Sequence, residues 1–259
     1  MSTVTVTTPD AGIARIAIDR PDKRNAIDPD TRNEMIAVVA GALAEPAVHA
    51  LVLTGEGGHF CAGGDIASMG NHDVASARIR MKDNHRLVRI LMEAEKPVIA
   101  AVEGFAMGAG AGLALMCDYI VLAEGGSIGF PFFKLGLTPD YGILHTLPRR
   151  VGAAAARRII FSAATFKGSA AHQAGLADEL VPDGEAKQKA LEIALEMAAL
   201  PPHVFALTKR HLAMGPMTLD AALELEALAM SLAFTGAELK EGRAAFAEKR
   251  KPDFRQTKT

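Results

Sequence analysis

Two glycine-rich segments decide the fold of this chain, Phe60–Ile66 (FCAGGDI) and Gly104–Gly112 (GFAMGAGAG). Each follows a short apolar run that predicts a buried strand, Ala50–Thr54 before the first and Val98–Val102 before the second. Each also runs into residues that predict a helix. Small residues at such a strand-to-helix turn leave backbone N–H groups uncovered. Two such turns facing each other would form an oxyanion hole; tight strand–helix packing is the alternative explanation of the glycines.

The composition predicts a globular protein with one large core, or a core plus an appendage. The chain has 259 residues, of which 49% are hydrophobic and 22% charged. A net charge of −2 supplies no basic field for nucleic acid or an anionic membrane. The first ten residues alternate valine and threonine, which predicts a strand and not a signal peptide. With only Cys61 and Cys117, the chain has no disulfide framework and no metal-ligand cluster, so we expect a cytoplasmic protein without a metal.

The order of elements predicts a wound α/β core followed by helices. Strands are expected near residues 4–6, 13–18, 50–54, 98–102 and 119–123, and they alternate with helices near 74–92 and 110–117. Asp28 followed by Pro29 indicates the start of another helix, which runs to about Ala44. From Asp183 onward the pattern is helical, and the leucines of a helix over 218–234 indicate core or a subunit interface.

Six short motifs follow one another along the chain: Arg20–Ala26 (RPDKRNA), Phe60–Ile66, Lys96–Gly104 (KPVIAAVEG), Leu113–Asp118 (LALMCD), Gly136–Asp140 (GLTPD) and Phe246–Lys251 (FAEKRK). In this order and spacing they resemble the enoyl-CoA hydratase/isomerase, or crotonase, family, over nearly the whole chain. The resemblance implies an α/β fold, the crotonase (ClpP-like) spiral of ββα units over 1–200, with a C-terminal helical trimerisation region over 201–259. It also implies an acyl-CoA thioester substrate, of which coenzyme A is part, and a homotrimer or a hexamer.

The resemblance also assigns candidate site residues. Ala62 and Ala109 match the two positions whose backbone N–H groups bind the thioester oxygen, and enolate chemistry needs such preorganised donors. The positions implied to contact coenzyme A are Lys23, Arg24, Ala26, Asp65, Ile66 and Lys249. Lys249 would reach the nucleotide from a neighbouring subunit. For the three cations, an ordinary solvated charge is the alternative interpretation.

The chain departs from the family's hydratases at both water-holding glutamates. The matching positions are Gly112 and Phe132, and neither can accept a proton. Asp140 instead falls where 1,2-epoxyphenylacetyl-CoA isomerases carry Asp and 3,2-enoyl-CoA isomerases carry Glu. The strings Gly108–Ala111 and Leu147–Arg149 also resemble the epoxyphenylacetyl-CoA isomerase branch.

Asp140 is therefore the candidate catalytic acid and base. One carboxylate can take a proton from the α-carbon and return it to the γ-carbon on the same face. The neighbouring apolar residues Phe130, Phe132, Phe133 and Leu137 are expected to raise its pKa. The alternative is that Asp140 caps the following helix. His145 would neighbour Asp140 if that helix begins there.

The favoured function is an enoyl-CoA isomerase that shifts a double bond through a thioester enolate. The alternatives are another activity of the family, namely hydration, thioester hydrolysis or dehalogenation, and a non-catalytic paralogue that binds coenzyme A. Two further motifs are set aside. Gly125–Gly129 fits the G-x-S-x-G pattern but no helix follows it, and Leu113 occupies the third glycine position of a dinucleotide fingerprint.

Overall fold

A computed structural model describes residues 2–10, 12–215 and 217–256. Within these ranges the chain forms nine strands and ten α-helices. The strands are β1 (Val4–Asp10), β2 (Ile13–Ile18), β3 (Ala50–Gly55), β4 (Val98–Val102), β5 (Phe105–Met107), β6 (Tyr119–Ala123), β7 (Ser127–Gly129), β8 (Thr165–Lys167) and β9 (Glu179–Val181). The helices are α1 (Pro29–Ala44), α2 (Val74–Met92), α3 (Ala109–Leu115), α4 (Ile143–Val151), α5 (Ala153–Phe161), α6 (Gly168–Gln173), α7 (Ala186–Ala198), α8 (Pro202–Ala213), α9 (Leu219–Thr235) and α10 (Ala237–Glu248).

The main sheet has six strands in the order β1-β2-β3-β4-β6-β9. β1 is antiparallel to β2, and the remaining neighbours are parallel. Parallel neighbours need crossover connections, and α1 supplies the one between β2 and β3 while α2 supplies the one between β3 and β4. The predicted wound α/β core is confirmed.

A second, three-stranded sheet has the order β5-β7-β8. Its strands have three residues each, too few to show an alternating pattern, and the sequence did not predict them. Ser127 of the G-x-S-x-G string is buried in β7, where it pairs with β5 and β8. The string is therefore part of a sheet and not a nucleophile turn.

The main sheet buries apolar side chains on both faces. Leu51 and Leu53 of β3 belong to the larger core cluster, whereas Ala50 and Val52 face a smaller cluster beneath α7. Successive strand residues point to opposite faces, so one strand serves both clusters. α7 contributes alanines four residues apart, which let the helix approach the sheet closely.

The C-terminal helices carry apolar side chains that one chain leaves exposed. Leu223, Leu228 and Leu232 of α9 are each more than half exposed, so the core interpretation of these leucines is wrong within a single chain. The subunit-interface interpretation stays a prediction. Among the described residues, no single helix is long and apolar enough to cross a membrane; α7 and α8 together, bent by 109°, would qualify by length and composition only.

Candidate active site

A cavity of about 710 Å³ lies where the two glycine-rich segments meet helix α2 and the chain before α4. Gly63 and Gly64 line it from the first segment, Ala109 from the second, and Asp140 and Tyr141 from the chain before α4. Most of the other lining side chains are apolar, including Ile27, Ile66, Met69, Met81, Phe132, Leu135 and Leu137. The cavity therefore suits an apolar ligand that meets a few polar groups.

Backbone hydrogen bonds hold the two glycine-rich segments side by side. The Cys61 N–H donates to the Phe105 carbonyl oxygen at 2.7 Å, and the Met107 N–H donates to the Cys61 carbonyl oxygen at 2.9 Å. Gly63 has a φ of +108°, and a Cβ there would lie only 2.8 Å from the Met107 carbonyl oxygen. A side chain at position 63 would separate the segments, so this glycine is required by both conformation and space.

The prediction for the Ala62 N–H is corrected by the structure. This group donates to the Arg24 carbonyl oxygen at 2.9 Å, so it is already satisfied inside the chain. Ile27 then pairs with the backbone on both sides of Gly64, since its N–H donates to Gly63 and its carbonyl accepts from Asp65. The Gly64 N–H must therefore point away from Ile27. No acceptor for it is found in residues 2–10, 12–215 or 217–256. Gly64 therefore carries a free amide at the cavity.

Ala109 supplies a second free amide beside the same cavity. It is the first residue of α3, where backbone N–H groups have no partner within the helix. Its nitrogen lies 3.8 Å from the position that a Cβ of Gly63 would take. Within the described part of the chain, no group accepts a hydrogen bond from it. That this amide binds the thioester oxygen stays a prediction, and Gly64 is the residue of the first segment that would act with it.

Asp140 lies at the cavity wall with its carboxyl largely buried. Its Oδ1 is inaccessible to solvent and has no hydrogen-bond partner among the described residues. Burial raises the pKa of this carboxyl to about 6, against smaller opposing effects of its own backbone and of Arg80. The direction is the one expected from the apolar neighbours.

Asp140 does not cap helix α4. The chain turns sharply after it, because Tyr141 and Gly142 both adopt left-handed conformations, with φ of 48° and 73°. Gly142 occupies the N-cap position, and no side chain caps the helix there. The capping interpretation of Asp140 is wrong. A buried, unpartnered carboxylate in a cavity is better explained by chemistry than by helix stability.

The two positions that match the hydratase glutamates carry no carboxylate here, and at one of them there is no room for a side chain. A Cβ on Gly112 would lie 2.6 Å from the Cβ of Tyr141 and 2.8 Å from its carbonyl oxygen. No side chain fits at Gly112 unless the Tyr141 backbone moves. Phe132, at the other position, is buried and lines the cavity with an apolar ring. The chain thus lacks both carboxylates, and Tyr141 occupies the space beside Gly112.

Of the six residues expected to contact coenzyme A, one lines the cavity. Ile66 lines the cavity and is 62% exposed. Asp65 accepts a hydrogen bond from the Ala67 N–H at 3.1 Å and lies 3.4 Å from an Arg20 nitrogen. Asp65 and the other four positions do not line the cavity. The other four are Lys23 and Arg24 on an exposed turn, Ala26 two residues before Asp28, and Lys249 at the end of α10. Their contacts with coenzyme A remain predictions.

Two other candidates lie outside the site. His145 is exposed on α4 and does not line the cavity. Partial desolvation, and to a smaller extent the charge of Arg149, holds its pKa below the usual range. Asp118, the last residue of the motif Leu113–Asp118, accepts hydrogen bonds from the Val98 N–H at 2.8 Å and from Lys209 Nζ at 2.6 Å, so it has a structural role. In the part of the chain that the structure describes, no three His, Cys, Asp or Glu residues could hold a metal ion together.

Sequence reasoning missed Gly64, Tyr141 and two arginines of the cavity, Arg32 and Arg80. The arginines come from α1 and α2, and their cavity positions depend on how these helices pack. The turn at Tyr141 had only one signal in the sequence, the glycine that follows it. The spacing of the first glycine segment could not distinguish Ala62 from Gly64.

Comparisons with known proteins identify the family of this chain. A model of the enoyl-CoA hydratase/isomerase family matches residues 8–257. The crotonyl-CoA hydratase of Syntrophomonas wolfei is 36% identical over 244 residues, which cover 93% of this chain and 94% of that protein. The short-chain-enoyl-CoA hydratase of Clostridium acetobutylicum is 35% identical over 241 residues and 92% of each chain.

The crystal structure of an enoyl-CoA hydratase from Bacillus anthracis superposes with a TM-score of 0.91 at 27% identity, covering 98% of this chain and 99% of that one. The crotonase fold expected from the motifs is therefore confirmed. On the family match, the sequence relatives and this fold, the chain belongs to the enoyl-CoA hydratase/isomerase family.

Proposed function

We propose that this protein is an enoyl-CoA isomerase that moves a double bond from the β,γ to the α,β position of an acyl-CoA thioester. The observation that carries the proposal is Asp140, a buried carboxyl with no partner among the described residues, facing a cavity that also holds two free backbone N–H groups. Asp28 is the other cavity carboxylate, but it caps α1 through the Thr31 N–H and pairs with Arg20 at 2.7 Å. Asp140 is thus the available base.

In the proposed reaction the thioester oxygen accepts hydrogen bonds from the N–H groups of Gly64 and Ala109. These donors stabilise the negative charge that develops on this oxygen when the α-carbon loses its proton. Asp140 removes that proton, and the electrons of the C–H bond form the enolate. The enolate then collapses to the α,β double bond, while the β,γ double bond takes the same proton from Asp140 at the γ-carbon. No atom is gained or lost, and Asp140 is ionised again at the end.

Hydration is the second candidate, because both sequence relatives described above are named as hydratases. Hydration requires a positioned water and groups that activate it. Gly112 and Phe132 offer no such group, and Tyr141 occupies the space beside Gly112. The chemistry of the cavity therefore favours isomerisation over hydration for this chain.

A direct assay separates these two functions. The purified protein should convert 3-hexenoyl-CoA to 2-hexenoyl-CoA, and it should hydrate crotonyl-CoA at least about 10²-fold more slowly, because two general acid–base groups are absent. Both reactions change the absorbance of the conjugated enoyl thioester, one as a gain and the other as a loss. Efficient hydration with no isomerisation would overturn the proposal, and inactivity toward both would favour a non-catalytic paralogue.

The pH dependence of isomerisation provides another prediction. Asp140 must be ionised to act as a base, and its pKa is about 6 in the free protein. We expect kcat/KM to be constant above this pH and to fall about tenfold per pH unit below it, since kcat/KM reports ionisations of the free enzyme. An acid limb near pH 4, typical of an unperturbed aspartate, would contradict this assignment.

We also propose that the protein assembles as a homotrimer or a hexamer and that Lys23, Arg24, Ala26, Asp65, Ile66 and Lys249 contact coenzyme A. The exposed leucines of α9 support assembly, because a large exposed apolar surface commonly marks a protein interface. The exposed positions of Lys23, Arg24 and Lys249 are compatible with phosphate contacts. Lys249 would act from a neighbouring subunit.

A further inference from the structure

One side chain of the cavity wall is a cation without a carboxylate partner. Arg80 lies on α2, where Ala77, Met81 and Asn84 line the same cavity at helical spacing. Its one hydrogen bond among the described residues is from Nη1 to the Ser68 carbonyl oxygen at 3.3 Å. No carboxylate in the described ranges lies within ion-pair distance of it. Most of its donors are therefore available to a ligand.

The second arginine of the wall, Arg32, is already engaged. It is 5% exposed, and its Nη1 donates to Asn84 Oδ1 at 3.1 Å while its Nη2 lies 3.6 Å from Asp83 Oδ2. It also donates to Asn33 Oδ1. Arg32 adds positive charge beside Asn84, but its donors are largely used within the chain. Of the two arginines, Arg80 is therefore the one whose N–H donors are free to bind a ligand.

The charged groups of the cavity are partly paired: Arg32 lies within ion-pair distance of Asp83, whereas Arg80 has no carboxylate partner among the described residues. Asp28 is neutralised by Arg20, and Asp140 forms no ion pair. Besides Arg32 and Arg80, the lining includes Lys134 and His72, both exposed to solvent. An apolar cavity with a free guanidinium is suited to a ligand that has an apolar body and one anionic group.

The position of Arg80 indicates which part of the ligand it meets. Helix α2 packs against the turn that follows Asp140, because Cγ1 of Val88 lies 3.2 Å from the position that a Cβ of Gly142 would take. Arg80 lies eight residues earlier on the same face of α2 and lines the same cavity as Asp140. Under the proposed function, Asp140 works at the α- and γ-carbons of the acyl group. The α2 wall that carries Arg80 therefore borders the acyl subsite.

We propose that the acyl subsite takes an acyl chain bearing a carboxylate remote from the thioester, and that Arg80 is the residue that selects it. The inference rests on the proposed function for the orientation of the acyl group. An arginine and a carboxylate can form two parallel hydrogen bonds, which gives geometric selectivity as well as affinity. A neutral acyl chain of the same length would instead cover the guanidinium without replacing its water contacts, which is unfavourable.

Binding of inert thioesters tests the proposal without catalysis. Isothermal calorimetry compares adipoyl-CoA with hexanoyl-CoA, and glutaryl-CoA with pentanoyl-CoA, on the full-length protein. None of these saturated thioesters can isomerise, so the result is independent of isomerase activity. We expect at least one dicarboxylyl thioester to bind roughly 10- to 100-fold more tightly than its neutral partner, the range for a hydrogen-bonded charge. Arg80→Gln should abolish this preference while leaving the affinity for the neutral thioester within a few-fold.

Two variants make the test specific. Arg78→Gln removes an exposed cation of α2 that does not line the cavity, and it should keep the full preference. Arg80→Lys keeps the charge but not the paired donors, so this variant should retain part of the preference for the dicarboxylyl thioester. Equal or tighter binding of the neutral thioesters to the unmodified protein overturns the proposal. It is also overturned if Arg80→Gln weakens both classes equally, which would make Arg80 only a counterion of Asp140. If the preference persists but the protein has no isomerase activity, only the proposed function is refuted.

Discussion

Asp140→Asn should lower the rate of 3-hexenoyl-CoA isomerisation by about 10² or more, with little change in thioester affinity. Asparagine keeps the size of the side chain but cannot accept the α-proton. The affinity should persist because the backbone N–H groups of Gly64 and Ala109 and the apolar wall are unchanged. The rate is followed by the absorbance of the conjugated product, and the affinity by calorimetry with hexanoyl-CoA.

The same substitution should stabilise the protein above pH 6. Because burial raises the folded-state pKa of Asp140 to about 6, folding holds an ionised carboxyl in an unfavourable environment at higher pH. The neutral amide avoids this, so the free energy of unfolding should rise by about 1–3 kcal/mol at pH 8. The gain should shrink as the pH falls below 6 and should vanish below the ordinary pKa of aspartate, where the carboxyl is protonated in both states.

A matched control removes a carboxylate elsewhere. Glu196→Gln changes an exposed residue of α7 outside the cavity, and it should leave the rate of isomerisation unchanged. Isomerisation by Asp140→Asn within a few-fold of the unmodified protein would refute the catalytic role of this residue. Reduced stability at pH 8 would indicate instead that the carboxylate is a structural group.

Ala109→Pro should reduce kcat for isomerisation by about 10²–10³, the usual loss for one oxyanion donor. Proline has no N–H, and the first position of a helix is where it is best tolerated. The infrared carbonyl band of bound hexanoyl-CoA should report the missing donor directly. We expect the band to move to lower frequency on binding to the unmodified protein and to move less on binding to the variant.

Ala109→Ser is the control for this substitution, since it changes the side chain but keeps the N–H. Its activity and carbonyl band should remain close to those of the unmodified protein. Circular dichroism and thermal unfolding show whether the proline variant is folded. A folded proline variant with an unaltered carbonyl band and near-normal kcat would mean that the Ala109 N–H does not contact the thioester oxygen.

Much of the fold was predictable from local pattern. Strands β3, β4 and β6 are continuous apolar runs, and α1 begins where Asp28 and Pro29 indicate it should, with Asp28 capping the Thr31 N–H at 2.8 Å. The small sheet of β5, β7 and β8 was not predictable, because strands of three residues exist only through their pairing with distant partners. The exposure of the α9 leucines also required coordinates.

The candidate site was likewise predictable from the sequence only in part. Asp140 and Ala109 could be identified from residue type and motif position. The Ala62 prediction was wrong because the left-handed turn at Gly63 changes the direction of the following amide, which motif spacing does not record. The turn at Tyr141 similarly excludes Asp140 as a helix cap and closes the space beside Gly112.

The sequence by itself determined the family, and it indicated the absence of both hydratase glutamates and Asp140 as the candidate acid, because these depend on residue identity and order. Only the tertiary structure decided which amides are free, that Oδ1 of Asp140 is buried without a partner among the described residues, and that Arg80 lines the cavity. Hydrogen-bond partners and burial arise from segments far apart in the chain, such as Arg24 with Ala62 and α2 with the turn at Tyr141. A local pattern carries no information about which of these distant groups will meet.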